Sequence, residues 1–285
     1  MSGVALPHTS TAYQDASSTQ AVAAPQGYWR AALPRYGVSV LLEKRAVAVN
    51  IGLSAALMAA CVLYLSLGSV TLSPNAVVAS LLGQGDRMTA FMVQQLRLPR
   101  LIAACFTGAA FALAGVLMQT LARNRLATPG IIGIDNGATA FAVASIVGLG
   151  VGIAPPAMAL AGATTAAVLT FGLAAGSGTQ GYRFIVAGIG VGAVFGAVTQ
   201  LMLARVAIDT ANAAYPWTVG SLNARPASAV QLLGIGLALG LVAALALARS
   251  LTLLRFKDAI ASGLGTAVKA RRLQVLLLSV VLTAL

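Results

Sequence analysis

Six carboxylates, one histidine and two cysteines are the groups in this 285-residue chain best suited to acid–base, nucleophilic or metal chemistry. Their placement excludes most of it. His8 lies near the N-terminus with no acid or cysteine beside it to complete a dyad or a ligand set. Asp15 and Glu43 precede the first long apolar run, and Asp86, Asp209 and Asp258 fall between runs. Only Asp135 stands where a run begins, a place in which a carboxylate favours the helix dipole without catalysing anything. Cys61 and Cys105 sit inside apolar runs and read as inert packing residues, not as a disulfide or a metal site. No catalytic residue, resident metal or cofactor is expected. Paired aspartates and proton relays, which intramembrane enzymes and ion-coupled transporters need at depth, are missing from the pattern.

The elements around these groups are apolar. With 59% hydrophobic and 8% charged residues and a mean hydropathy of +0.89, the composition is that of an integral membrane protein. Windows of about 20 apolar residues, the length that crosses a bilayer as a helix, fall at 47–67, 101–121, 131–151, 154–173, 184–203 and 230–248. A seventh run opens at Leu273 and is still apolar at Leu285, so the chain reads as stopping inside a helix. Residues 46–285 are expected to form an all-α polytopic membrane domain. Residues 1–45 are polar, alanine-rich and without the basic and apolar regions of a signal peptide, and read as a disordered tail. Tyr28, Trp29 and Tyr36 within it are either interfacial or incidental aromatics.

Basic residues set the expected orientation. Arg123, Arg125, Arg183, Arg249 and the run from Arg255 to Arg272 share a side with Arg30, Arg35, Lys44 and Arg45, leaving Arg87, Arg97, Arg100, Arg205 and Arg225 opposite. The excess marks the cytosolic side and puts the N-terminus there. The net charge of +12 then reflects this bias and contact with anionic lipid. No basic patch interleaved with aromatics points to nucleic acid.

Spans that carry no ion-coupling groups can shape a path but cannot power it, so attention passes to the polar stretches. RFKDAIASGLGTAVKARR (255–272) is a charged insert in which Asp258, Ala261, Leu264 and Val268 are spaced as short helices broken at Gly263 and Gly265. LRLPR puts Arg97 and Arg100 a helical turn apart, with Pro99 suited to a first turn. The arginines either snorkel to lipid phosphates or meet a protein. In QTLARNRLATPGIIGIDNGA (119–138), Arg123 and Arg125 stop a span, Pro129 and Gly130 turn the chain, and Asn136 and Thr139 enter the next span able to bond across helices. In AGIGVGAVFGAVTQ, Gly188, Gly192 and Gly196 recur every four residues with Gly190 beside them and Thr199 and Gln200 below. No strand precedes these glycines, which rules out a nucleotide loop. They make either a close helix-packing face or a smooth, wide path.

RLPR at 97–100, GAAFALAGVLMQTLARNRLATPGIIGIDNGA at 108–138 and WTVGSLNARP at 217–226 resemble the permease subunits of ABC importers for iron-siderophore, haem and cobalamin complexes. The GSLN form is most like permeases for catecholate siderophores such as ferric enterobactin, while Arg125 stands where the family usually has proline. The resemblance implies a type II ABC importer permease fold of ten helices, about seven of them within this chain. It implies an inner-membrane subunit, itself not an enzyme, that pairs with a second permease subunit. Two cytosolic ATPase subunits would drive it and an extracytoplasmic binding protein would deliver the substrate. Arg97 and Arg100 would dock that binding protein, Gly188, Gly192, Gly196 and Thr199 would line the path, and Ala261, Ser262, Gly263, Leu264, Gly265 and Thr266 would couple to the ATPase. Haem or cobalamin in place of an iron-siderophore complex, a passive channel and a membrane scaffold are the alternatives.

Overall fold

The computed structural model describes residues 25–33, 38–148, 154–174, 182–223 and 226–284. The chain divides into two compact units between Tyr64 and Leu65. In the first, β1 (Tyr28–Leu33) pairs antiparallel with β2 (Val38–Glu43), Trp29 opposite Leu42 and Leu33 opposite Val38. β2 runs directly into α1 (Lys44–Ser66). The Lys44 N–H donates to the Gly27 carbonyl at 2.9 Å, and its ammonium lies 6.0 Å from the centre of the Trp29 ring. The tail expected to be unstructured through residue 45 therefore contains a hairpin. Its aromatic and β-branched residues favour strand, a signal diluted by the alanines around them. Residues 1–24 and Tyr36 lie outside the described residues.

The second unit takes in the last two residues of α1, Leu65 and Ser66, and then α2 (Pro74–Leu81), whose N-cap Ser73 hydroxyl accepts from the Ala76 N–H. α3 (Arg87–Phe91), capped by Asp86, continues through a π-helical turn at Met92–Arg97 into α4 (Leu98–Ala122). Pro99 is the second residue of α4 and so lies in its first turn, as the sequence suggests, although the π-helical turn runs into it without a break. A proline there deletes a backbone donor and crowds the preceding turn; the wider π turn just before it absorbs both effects.

A turn of 3-10 helix at Pro129–Ile132 leads to α5 (Ile134–Val147), α6 (Pro155–Leu173) and α7 (Tyr182–Ala204). Short α8 (Ile208–Ala214) and α9 (Pro216–Val219) precede α10 (Ala227–Leu254), α11 (Asp258–Gly263) and α12 (Val268–Ala284). Among the described residues, five helices are long and apolar enough to cross a membrane: α1, the continuous helix ending in α4, α6, α7 and α10. The span expected over 131–151 is a correction to the reading from sequence. Left-handed Gly133 (φ +74°) and Gly148 (φ +78°) bracket α5 to 14 residues, about 21 Å of helix, short of a hydrocarbon core of roughly 30 Å.

Small residues bring these helices together. A Cβ on Gly137 would come within 2.5 Å of the Gly162 carbonyl oxygen, so α5 and α6 cross backbone to backbone. The Thr170 hydroxyl, fully buried, donates to the Ile132 carbonyl at 2.9 Å and ties the C-terminal end of α6 to the 3-10 turn. On the other flank Ser279 of α12 donates to the Ala114 carbonyl of α4 at 3.3 Å. One buried cluster, including Leu117, Leu121, Ile132, Phe184, Leu254, Ala261 and Val275, joins the C-terminal halves of α4 and α10 to α11 and α12.

Candidate functional site

α4 is held by an arginine at each end. At its N-terminal end the Arg97 guanidinium donates through Nη1 to the Leu65 carbonyl at 2.6 Å and through Nη2 to the Val70 carbonyl. It lies flat against Gly68, where a Cβ would come within 2.7 Å of Nη2. The π turn gives Arg97 this reach, and on its own strand of helix Gln94 donates to the Ser80 carbonyl of α2. Arg100, a turn further on, is exposed. The two arginines expected to act together thus do different things: Arg97 clamps backbone carbonyls at a helix end, an arrangement that suits a cation, and Arg100 is open to solvent.

At the C-terminal end Arg123 adopts the left-handed conformation (φ 48°), and the next N–H, that of Asn124, bonds back to the Gln119 carbonyl at 3.1 Å. This is the Schellman closure usually given to glycine. Asn124 then builds the turn: its side-chain oxygen accepts from the Leu126 N–H at 2.9 Å and its carbonyl from the Ala127 N–H at 3.1 Å. The turn closes without a proline at position 125. Arg123 Nε donates to the Leu254 carbonyl, the last residue of α10, at 2.8 Å, and Nη2 pairs with Asp258 Oδ1 at 2.8 Å. Arg272 of α12 reaches the same Asp258 oxygen at 2.6 Å. Asp258 is 49% exposed, so each pair contributes below about 1 kcal/mol. Their importance is geometric, since one oxygen fixes the first residue of α11 to two helices.

Between these joints, residues 255–267 form one short helix and a turn. Ala261 is fully buried, whereas Phe256, Ile260 and Leu264, each four residues from the next, are 48%, 51% and 59% exposed. Leu264, one of the apolar residues spaced along the segment, is exposed, while Ala261 and Val268 are buried. Gly265 (φ +79°) and the bond from the Thr266 N–H to the Ala261 carbonyl at 3.1 Å end the helix, and Ser262, Gly263 and Gly265 are exposed beside it.

α7 separates the two readings of its glycines. A Cβ on Gly133 would come within 2.8 Å of the Gly192 nitrogen and 3.0 Å of the Gly188 oxygen. Gly188 and Gly192 are therefore the surface on which the start of α5 packs. Gly196 has only Asn136 within 4.0 Å of such a Cβ, and Thr199 is buried with its hydroxyl donating to the Phe195 carbonyl at 2.9 Å. The open face of the helix is the opposite one: Val186, Ile189, Gly190, Ala193, Ala197 and Leu201 are exposed. From α5, Thr139 donates to the Trp217 carbonyl at 3.3 Å, which ties α9, just before the GSLN residues, to this short helix. Reasoning from sequence missed Arg123, Asp258 and Arg272 as a group. Its one local trace was a lone acid in a run of bases.

Comparison with known proteins gives this architecture relatives. The model of the FecCD transport family matches residues 56–285. Over 228 residues the chain is 36% identical to the achromobactin transport system permease protein CbrC of Dickeya dadantii, covering 79% of this chain and 65% of that protein. Over 233 residues it is 34% identical to the ferric enterobactin transport system permease protein FepG of Escherichia coli, covering 80% and 71% respectively. Among solved structures, an inward-facing conformation of a metal-chelate type ABC transporter superposes with a TM-score of 0.68 at 24% identity, covering 82% of this chain and 72% of that one, a likeness of fold.

Proposed function

The chain belongs to the FecCD transport family, and on that premise we propose that it is the inner-membrane permease subunit of an ATP-driven importer for an iron-siderophore complex. Family membership carries the reading. The substrate class is supported by relatives named for achromobactin and ferric enterobactin. ATP drive is supported by the scarcity of ionisable groups in the long helices.

The end of α4 that holds Arg123 then faces the cytosol, in keeping with the basic residues gathered there. Phe256, Ile260 and Leu264, raised on the segment that Ala261 anchors, enter a cleft of the ATPase subunit. Arg100 receives a carboxylate of the extracytoplasmic binding protein, with Arg97 holding the platform beneath it. A guanidinium fork suits such a rim pair because it binds carboxylate bidentately and stays charged. A second permease subunit closes the path, and the open face of α7 around Gly190, Ala193 and Ala197 lines it. Gly188 and Gly192 set that face by fixing α7 against α5.

The test is uptake by a strain lacking this gene, complemented with it, against ferric catecholate, citrate and hydroxamate chelates, haem and cobalamin. ATP-dependent uptake of a ferric siderophore is the expected result. Haem or cobalamin uptake alone would replace the substrate, and uptake that survives loss of ATP hydrolysis would overturn the importer reading.

A further inference from the structure

Resting on the reading of α11 as the ATPase-facing helix, we propose that Asp258 is a positioning residue for coupling: it latches α11 to α4 and α12, so that motion of α11 is passed on to them. Three observations converge on it. Asp258 is the first residue of α11, and its single oxygen Oδ1 accepts from Arg123, at the end of α4, and from Arg272, in the second turn of α12. It is the only carboxylate between residues 210 and 285, a stretch that also carries Arg249, Arg255, Lys257, Lys269 and Arg271. Both guanidiniums pair with this one carboxylate. Arg123, finally, has a second hold that does not involve Asp258, the Leu254 carbonyl at the end of α10.

These facts give the latch a direction. If the carboxylate is lost, Arg123 stays with α10 through Leu254, while Arg272 loses its partner and faces a like charge across the vacated position. α11 then loses its hold on both the α4–α10 pair and the start of α12. Ala261, buried in the core, still anchors α11, so the helix persists but can rock about that one contact. The consequence is slippage between ATPase and pathway, with the fold kept.

The experiment uses the complete transporter in proteoliposomes with the two native cysteines replaced. Spin labels at Ser262→Cys on α11 and Gln119→Cys at the end of α4 report the distance between the two helices with and without ATP. In the otherwise unchanged protein the distance distribution is expected to stay narrow in both states. Asp258→Asn and Arg272→Gln broaden it, and Asp258→Glu, which restores the charge, narrows it again. Import per ATP hydrolysed falls about tenfold in Asp258→Asn, within the range of typical coupling energies. Equal distributions for the unchanged protein and Asp258→Asn would overturn the latch. So would a loss confined to the amount of assembled complex, with the distribution and ratio of the surviving fraction unaltered. The distance reads the latch whether or not a ferric siderophore is imported, so its failure is distinct from failure of the proposed function.

Discussion

Replacing Arg97 and Arg100 separately by alanine should give opposite results from neighbouring, identical side chains. Arg97→Ala removes two hydrogen bonds from a charged donor, to the carbonyls of Leu65 and Val70. Bonds of that kind contribute about 1.5–3 kcal/mol each. The freedom regained by a half-buried arginine offsets part of this, leaving a net destabilisation of about 2–4 kcal/mol. For a large domain 1 kcal/mol moves a melting midpoint by about 2–4 °C, so a drop of roughly 4–16 °C is expected. Arg100→Ala changes an exposed side chain and should stay within about 0.5 kcal/mol of the parent. The assay is thermal unfolding of the assembled complex in nanodiscs, followed by titration with the binding protein at low and high salt. Arg100→Glu should weaken that binding at low salt, with the difference shrinking as salt screens it. Equal midpoints for the two alanine variants would refute the clamp, and binding unaffected by Arg100→Glu would remove the docking role.

On α7, Gly192→Leu forces a side chain against Gly133 and Asn136, which lie 3.3 and 3.1 Å from its Cβ position. It should lower the yield of folded protein, whereas Gly190→Leu, with nothing within 4 Å, should fold normally and block uptake. Gly162→Ala drives a methyl into the Gly137 carbonyl and to 2.8 Å from the Phe141 Cβ. An overpacking cost of about 1–3 kcal/mol is expected, read as a lower unfolding midpoint. Leu264→Asp places a charge on the exposed knob beyond α11 and should abolish stimulation of ATP hydrolysis by the loaded binding protein without lowering the midpoint, as measured by phosphate release.

Several of these elements were legible in the sequence because they depend on local properties. Long apolar runs at 154–173, 184–203 and 230–248 needed only hydropathy, and α6, α7 and α10 cover them. The length of α5 is not legible in this way, because hydropathy does not sense a glycine in the left-handed region. Gly133 and Gly148 cut short what reads as one apolar run. Pro99 is legible as a first-turn residue of α4, whereas the π turn that runs into it has no local signal of its own. The repeat of Gly188, Gly192 and Gly196 announced a smooth face but not its neighbour, which is decided by Gly133, more than fifty residues earlier in the chain. Asp258 shows the limit most clearly. Its partner Arg123 lies 135 residues away, and no single sequence records that the turn after α4 and the start of α11 meet.

The two arginine joints bear on how the protein sits in membranes of different thickness. α4 has 25 residues, about 37 Å of helix, and continues a helical run of 36 residues that begins at Arg87; a helix of such length in a thinner hydrocarbon layer ordinarily tilts or lets cations near the membrane surface snorkel to phosphate. Arg97 and Arg123 are already committed to carbonyls of the same chain, so neither is available to follow the lipid surface. Contacts within the chain therefore hold both ends of α4, and hydrophobic mismatch along it is met by tilt of the domain as a whole or by deformation of the surrounding lipid, not by movement of these two side chains.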